Sequence, residues 1–460
     1  MRGALVAVCV LAAAGCGAEE EGAAGIEGPG SAPFVRPDTP GNELLFRFDP
    51  SDVVESHGSP GGSFVVHFTR QGPNAVPSAD AEGDGVPDFV QEVEAIYDEV
   101  LAVYTGEMGF RAPVSDEGVA DNGGDGRFDV YLIDFGGIAD GAFQLDTDGC
   151  AAGNGEVCAG YMVQENDYAG YGYPSVTIAN RILGSHELFH AVQAAYDTGQ
   201  GSVFGEGTAV WATERFDGSL EDFEWLIDGY LATPERALDV PPPGPVSPFS
   251  YGAAIYFQFL EERYGEGSVE ALWRRAENGA FGVEDPVWFE ELGPLIVERG
   301  GVSFAESFVE FATWNLFTGG FADATRSYAG GDGYARVAIE AAAAPFSLRL
   351  RSFHASAQYY RAPRDGRAEM TAALVPTADV ADDLEGLTLL LVPEQGGAYG
   401  EVTRVGDPAA GEERVDTSGA EALVVVVVNG RQGGDSRRPT LCIGSPEEVA
   451  ACAADAGGAG

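Results

Sequence analysis

The pentapeptide His186-Glu187-Leu188-Phe189-His190 sets two histidines around a glutamate, in a chain with five histidines among 460 residues. On an α-helix this spacing puts both imidazoles on one face, within reach of a single metal ion, and leaves Glu187 to act on a water beside that metal. The alternative, a pair of core histidines, needs a strong partner to offset their desolvation. A hydrolytic zinc site takes three protein ligands and keeps a fourth position open. Glu206, in Gly205-Glu206-Gly207-Thr208-Ala209-Val210-Trp211, is the favoured third ligand, because a second helix over residues 204–216 can turn its carboxylate back towards the histidines. Asp197 is the rival, but it continues the histidines' own helix and points along it instead of closing a tetrahedron. Glu187 would take a proton from water and return it to a leaving amine. A tetrahedral intermediate also needs a donor for its oxyanion, and Tyr251 is the candidate, with Tyr256 a competitor. Either tyrosine can equally belong to the core.

Such groups need rigid elements to position them. His186, His190, Gln193 and Asp197 recur at helical spacing while Leu188, Phe189, Val192, Ala195 and Tyr196 cover the remaining surface, which predicts a buried helix with one polar stripe facing a cleft. Residues 63–69 alternate in the manner of a strand. From Pro87 onward Phe89, Val90, Val93, Ile96, Tyr97, Val100, Leu101 and Tyr104 mark an amphipathic helix, and residues 128–133 read as another strand. Residues 174–340 read as mainly helical, interrupted by Pro241-Pro242-Pro243-Gly244-Pro245. After Ala344 come short strand patterns at 346–353, 358–361, 368–375, 387–392 and 423–428, which predict a β-sandwich. The run Val424-Val425-Val426-Val427-Val428 is β-branched throughout and favours a fully buried strand.

Acidic residues outnumber basic ones 73 to 25, a net charge of −48 that argues against nucleic acid and anionic lipid headgroups as partners and favours cations. The same charge also serves solubility. Asp80, Glu82, Asp84 and Asp88 alternate around Gly85 as in calcium loops, which makes calcium a second candidate cation. Position twelve of that loop is Gln91 rather than a glutamate, so an EF-hand is not expected, and Glu92 is a substitute ligand. The alternative is an acidic turn with Asp88 at the start of a helix. Asp121, Asp125, Gly126 and Asp129 form a second turn that lacks a carboxylate at its third position.

Arg2, an apolar stretch at residues 4–14 and then Ala13-Ala14-Gly15-Cys16 resemble a bacterial lipoprotein signal with Cys16 as the lipidated first residue; an ordinary secretory signal is the alternative. No segment reaches the roughly 18 apolar residues of a membrane span. Cys9 and Cys16 fall within that signal, and the remaining cysteines form two local pairs, Cys150 with Cys158 and Cys442 with Cys452. In an oxidising compartment these read as disulfides. A structural zinc site is the alternative, but the pairs lack C-x-x-C spacing.

Across residues 63–320, several segments occur in order: Phe64-Val65-Val66-His67-Phe68, Asp84-Gly85-Val86-Pro87-Asp88 and Gly124-Asp125-Gly126-Arg127-Phe128-Asp129-Val130-Tyr131. The histidine string then runs on into Ala191-Val192-Gln193, and Glu206-Gly207-Thr208-Ala209-Val210-Trp211, Tyr251-Gly252, Trp314-Asn315 and Thr318-Gly319 follow. Together these resemble a family of secreted zinc metalloproteases of myxobacteria and related bacteria, within the gluzincin group. The resemblance implies a zincin-like fold; with the patterns above, the expected fold is α+β, a zincin-like domain mainly helical around its active site followed by a C-terminal β-sandwich that is only loosely family-like. The resemblance also implies zinc on His186, His190 and Glu206, Glu187 as catalytic base, and protein or peptide substrates. Val210 stands where an acidic residue can support a histidine ligand in gluzincins, so the partner of the histidine N–H is open.

The expected organisation is a signal at 1–16, a disordered tether at 17–44, a catalytic domain at 45–344, a β-sandwich at 345–445 and a flexible tail at 446–460. The expected activity is zinc-dependent peptide hydrolysis in the cell envelope or the medium, with membrane contact only through the lipid anchor. A non-catalytic surface lipoprotein that keeps the zincin frame and a zinc hydrolase of a non-peptide bond are the alternatives; an intact Glu187 speaks against the first. Mass spectrometry of the mature amino terminus is expected to find a lipid-modified Cys16. An unmodified terminus beyond it, with the protein only in the medium, contradicts the anchor.

Overall fold

The computed structural model describes residues 35–150, 157–277, 286–377, 383–411 and 413–458; Cys16 lies outside the described residues. The fold is α+β and clusters into two compact units, neither continuous in sequence. The first comprises Met1–Phe223, Pro243–Ser247 and Glu266–Glu291, and the second Glu224–Pro242, Pro248–Gly265 and Leu292–Gly460. A boundary at 344/345 therefore falls inside the second unit. Among the described residues no helix is long and apolar enough to cross a membrane.

The first unit is built on a five-stranded sheet of β1 (Glu55–Gly58), β2 (Phe64–Phe68), β3 (Phe128–Leu132), β4 (Gly141–Cys150) and β5 (Cys158–Gln164), in the order β1-β2-β3-β5-β4. β2, β3 and β5 run parallel, and β4 lies antiparallel to β5 at one edge. Three helices complete the frame of the site: α1 (Asp88–Ala102), α2 (Val176–Gln193) and α3 (Ser202–Phe216). α1 buries Phe89, Val90, Val93, Ile96, Tyr97 and Val100, the stripe expected from its sequence. Strand alternation then divides the sheet into two faces. Phe64 meets Tyr97 of α1 edge-on at 5.3 Å, so one face is covered by helices. The other presents Tyr131, Ile133, Tyr161 and Val163, packed with Phe48 from the N-terminal segment.

That segment corrects the expected tether, because residues 35–44 are part of the fold. Arg36 is fully buried and places its guanidinium 2.6 Å from Asp116, 2.9 Å from Asp146 and 3.6 Å from Asp129. Its Nε donates to the Asp121 carbonyl at 3.0 Å, and the group lies 4.4 Å from the centre of the Tyr161 ring. Asn42 ties the turn together by donating to the carbonyls of Arg36, Pro37 and Thr39. A segment poor in apolar residues is thus ordered by charge. Asp129, in the second acidic turn of the sequence, forms a 3.6 Å ion pair with Arg36 and bonds His67 at 2.8 Å, with His67 stacked on Tyr131.

In the second unit, two sheets share one core. Strands Ser356–Pro363, Leu387–Gln395 and Ala422–Asn429 form the centre of one sheet, and Glu369–Val375 and Thr440–Gly444 the centre of the other. Tyr360, Leu389, Leu391, Val425 and Val427 face Ala372, Leu374, Leu441 and Ile443 across this core. Val424, Val425, Val426, Val427 and Val428 are all fully buried, as their β-branched run implies. Both expected disulfides form, Cys150–Cys158 and Cys442–Cys452. The tail expected at 446–460 is corrected to a helix, Pro446–Gly458. Ser445 accepts the Glu448 N–H while Glu448 accepts the Ser445 N–H, a capping box, and the second disulfide holds the helix to the strand Thr440–Gly444.

Arg36→Ala leaves three buried carboxylates around a missing cation and is expected to destabilise the first unit by about 3–5 kcal/mol in denaturant titrations. Burial pushes Asp146 up to about 7 and Asp116 up to about 6, against the pull of Arg36. Asp129, Asp121, Asp38, His67, Tyr131 and Tyr161 face the same cluster. A carboxyl raised above its unfolded value of about 3.9 stabilises the fold fully below that value and loses its contribution as pH rises through its folded value. The melting temperature should therefore rise as pH falls from about 8 towards about 5, and Asp146→Asn should flatten that slope. An unchanged slope in the variant assigns the pH dependence elsewhere.

Candidate metal centre

Ser175 caps α2 by accepting the Ile178 N–H at 3.1 Å. The helix is then buried on nearly all sides, including every residue from 183 to 193. Gly184 permits this, since a Cβ there would stand 3.2 Å from the Tyr97 ring of α1. Tyr104 donates to the Ser185 carbonyl at 3.0 Å, and Ser185 Oγ meets Thr213 Oγ1 of α3 at 3.0 Å. α2 and α3 are therefore locked side by side with their polar residues between them.

This packing brings the expected ligands together. His186 Nε2 lies 3.2 Å from His190 Nε2 and 3.2 Å from Glu206 Oε2, and His190 Nε2 lies 3.5 Å from the same oxygen. Ligands about 2.0–2.1 Å from a tetrahedral metal stand about 3.3–3.4 Å apart, so the three atoms already form one face of such a tetrahedron. Among the described residues this is the group of histidine, cysteine and carboxylate side chains placed to hold a metal ion. Glu206 is fully buried, and its Oε1 has no hydrogen-bond partner. Burial opposes charge on His190, yet the Glu206 carboxylate raises that imidazole to about 9. Burial equally opposes ionisation of Glu206, but His190 and His186 hold it down to about 2. The pocket thus calls for positive charge, which a cation would supply in place of the proton.

Glu187 stands outside the ligand set. Its Oε2 accepts the Phe143 N–H of β4 at 2.9 Å, and with His190, Leu145 and Trp273 it lines a cavity of about 60 Å³, room for a few waters. Asp197, the rival ligand, is occupied elsewhere: it accepts the Gly199 N–H at 2.6 Å and the Gln200 side-chain amide at 2.7 Å. Tyr251 sits in the helix Pro248–Gly252 of the second unit, where it is buried, and Tyr256 is a core residue of that unit.

The acidic turn is not gathered around one point. Asp80 accepts N–H groups from Gly83, Asp84 and Gly85, Asp88 accepts from Ala81, and Asp84 accepts from Val86 and from the Gln91 side chain. Glu92 turns instead to Thr177 and Asn180. Among the described residues, Asp80, Glu82, Asp84 and Asp88 do not form a group whose ligand atoms lie close together, and Asp80, Asp84 and Asp88 bond the N–H groups of their own turn.

Three contacts escaped the sequence. Gln193 Oε1 lies 2.8 Å from His190 Nδ1, while its amide nitrogen donates to the Gly205 carbonyl at 2.7 Å and to Thr208 Oγ1 at 3.0 Å. Its place on the polar stripe was the available signal. The Phe143 N–H has no side-chain signature at all. Asp140 is buried at the start of β4 and accepts from the Tyr173 hydroxyl. Burial foremost, with Glu187 adding to it, pushes this carboxyl up to about 6, which places Asp140 in the field of the site.

Comparison with protein-family models found no match, nor did comparison with curated proteins. The centre is expected to take up one equivalent of a divalent transition metal in equilibrium dialysis. Glu206→Ala and His190→Ala should each lose it, and full occupancy in either variant removes that residue from the ligand set.

Proposed function

We propose that the chain is a zinc-dependent endopeptidase of zincin-like architecture, the class its sequence resembles. The observation that supports this most is the division of labour on α2. His186 and His190 converge with Glu206, while Glu187 turns into the adjoining cavity beside an edge strand. Two imidazoles with one carboxylate suit zinc better than calcium or magnesium, which prefer oxygen ligands. Among the described residues no strand pairs with the outer edge of β4, and an extended peptide can add to such an edge as a further strand.

When bound, zinc would polarise the scissile carbonyl and acidify a water. Glu187 accepts the proton of the attacking water and delivers it to the amide nitrogen as the C–N bond breaks. The Phe143 N–H fixes one oxygen of Glu187 and leaves the other to exchange the proton. His186, His190 and Glu206 bind and orient without moving protons. A lipoprotein-like signal ending at Cys16 would put this activity at the cell envelope, or in the medium if the chain is released.

Glu187→Gln keeps the size and the Phe143 contact but cannot accept a proton. It is expected to retain zinc while kcat on a peptide substrate falls by about 10²–10⁴-fold or more. Equal turnover by the two proteins would take Glu187 out of the mechanism.

A further inference from the structure

We infer that Gln193 is the positioning residue for His190, setting which of its nitrogens faces the metal and keeping the support of that ligand electrically neutral. The inference rests on the metal-site part of the proposed function. A backbone carbonyl can only accept, so the Gln193 atom 2.7 Å from the Gly205 oxygen must be the amide nitrogen. The second contact of that nitrogen, Thr208 Oγ1, is itself committed as a donor to the Phe204 carbonyl at 2.6 Å and accepts the Trp273 N–H at 3.3 Å. The amide orientation is thereby fixed, and Oε1 is the atom 2.8 Å from His190 Nδ1. An amide oxygen accepts, so Nδ1 keeps a proton and Nε2 is the nitrogen turned towards Glu206 and His186, the one that would offer its lone pair to a metal.

The chain of bonds runs from His190 on α2 through Gln193 to Gly205 and Thr208 on α3, the helix that bears Glu206. One side chain therefore sets the ring of one ligand and joins it to the backbone beside another. Its neutrality also has a consequence. A zinc ion with the Glu206 and Glu187 carboxylates sums to zero charge, and Asp197 lies near the same cavity. A carboxylate in place of Gln193 would add a further negative charge to this buried site, whereas an amide orients the imidazole without adding charge.

The test is zinc affinity by competition with a chelator, together with melting temperatures of the metal-free and zinc-loaded forms. Gln193→Leu is expected to weaken zinc binding about 10–100-fold and to shrink the zinc-induced rise in melting temperature. Gln193→Glu restores an acceptor for Nδ1–H but not the donor to Gly205. It should recover much of the affinity while its metal-free form melts lower than the wild type. Thr208→Val, which loosens only one bond to the amide, is the milder variant should Gln193→Leu fail to fold, and a loss of about 2–5-fold is expected there. A purely structural role would lower the metal-free melting temperature and leave zinc affinity unchanged in the Leu and Val variants; that result overturns the inference. A wild type that binds zinc but cleaves no peptide refutes the peptidase reading and leaves this one standing, while a wild type that binds no zinc removes both.

Discussion

A helix buried nearly all round that carries two imidazoles and a carboxylate is unfavourable unless each polar group meets a partner. That requirement organises the first unit. Desolvating these groups without compensation costs several kcal/mol apiece, together comparable to the about 5–15 kcal/mol by which domains are usually stable. α2 cannot supply the compensation alone. α3 brings Glu206 to both histidines, β4 brings the Phe143 N–H to Glu187, and Gln193 links His190 back to α3. Even so, Glu206 Oε1 remains buried without a hydrogen bond, and the cluster still favours a cation. A metal ion held by His186, His190 and Glu206 would meet that unsatisfied oxygen.

The opposite face of the sheet solves a similar problem with an arginine. Asp116, Asp129 and Asp146 are buried where the sheet would otherwise be covered by apolar side chains, and Arg36 is the positive charge among them. Such clusters contribute less to net stability than apolar packing of equal volume, but they are costly to break on one side. They therefore fix a register. The N-terminal segment cannot slide along the sheet without moving a guanidinium out of its one well-matched pocket.

What was legible in the sequence follows from how local the information is. Two histidines on one helix, α1 and the valine strand all carry their periodicity within a few residues, and each appears where expected. Glu206 was legible because the second helix follows closely. β4 and β5 were not, because Asp and Gly interrupt Gly141–Cys150, and Cys158–Gln164 has no alternation when every residue is buried. Arg36 gave no signal, since its partners at 116, 129 and 146 are remote in sequence. The acidic spacing at residues 80–88 also left unread that backbone N–H groups of the turn bond Asp80 and Asp84, since composition does not show which acceptor they choose. The capping pair Ser445 and Glu448 is a local helix signal, outweighed in composition by the alanines and glycines that follow.

β4 joins these two buried clusters. Its ladder with β5 runs from Gly141 opposite Gln164 to Leu145 opposite Gly160, shifts register, and resumes at Cys150 opposite Cys158, where the disulfide closes it. Asp146 sits within the irregular stretch and is held at 2.9 Å by Arg36. Three residues earlier, the Phe143 N–H on the outer edge reaches Glu187. An edge strand paired on one side only is easily displaced, so the ion pair and the disulfide supply restraint that a second neighbouring strand would otherwise give. The three candidate metal ligands depend on α2 and α3, whereas Glu187, the proposed base, depends also on β4. Disturbance of the N-terminal segment would therefore reach Glu187 before it reaches His186, His190 or Glu206, and loss of catalysis with retained metal is the signature that such a coupling leaves.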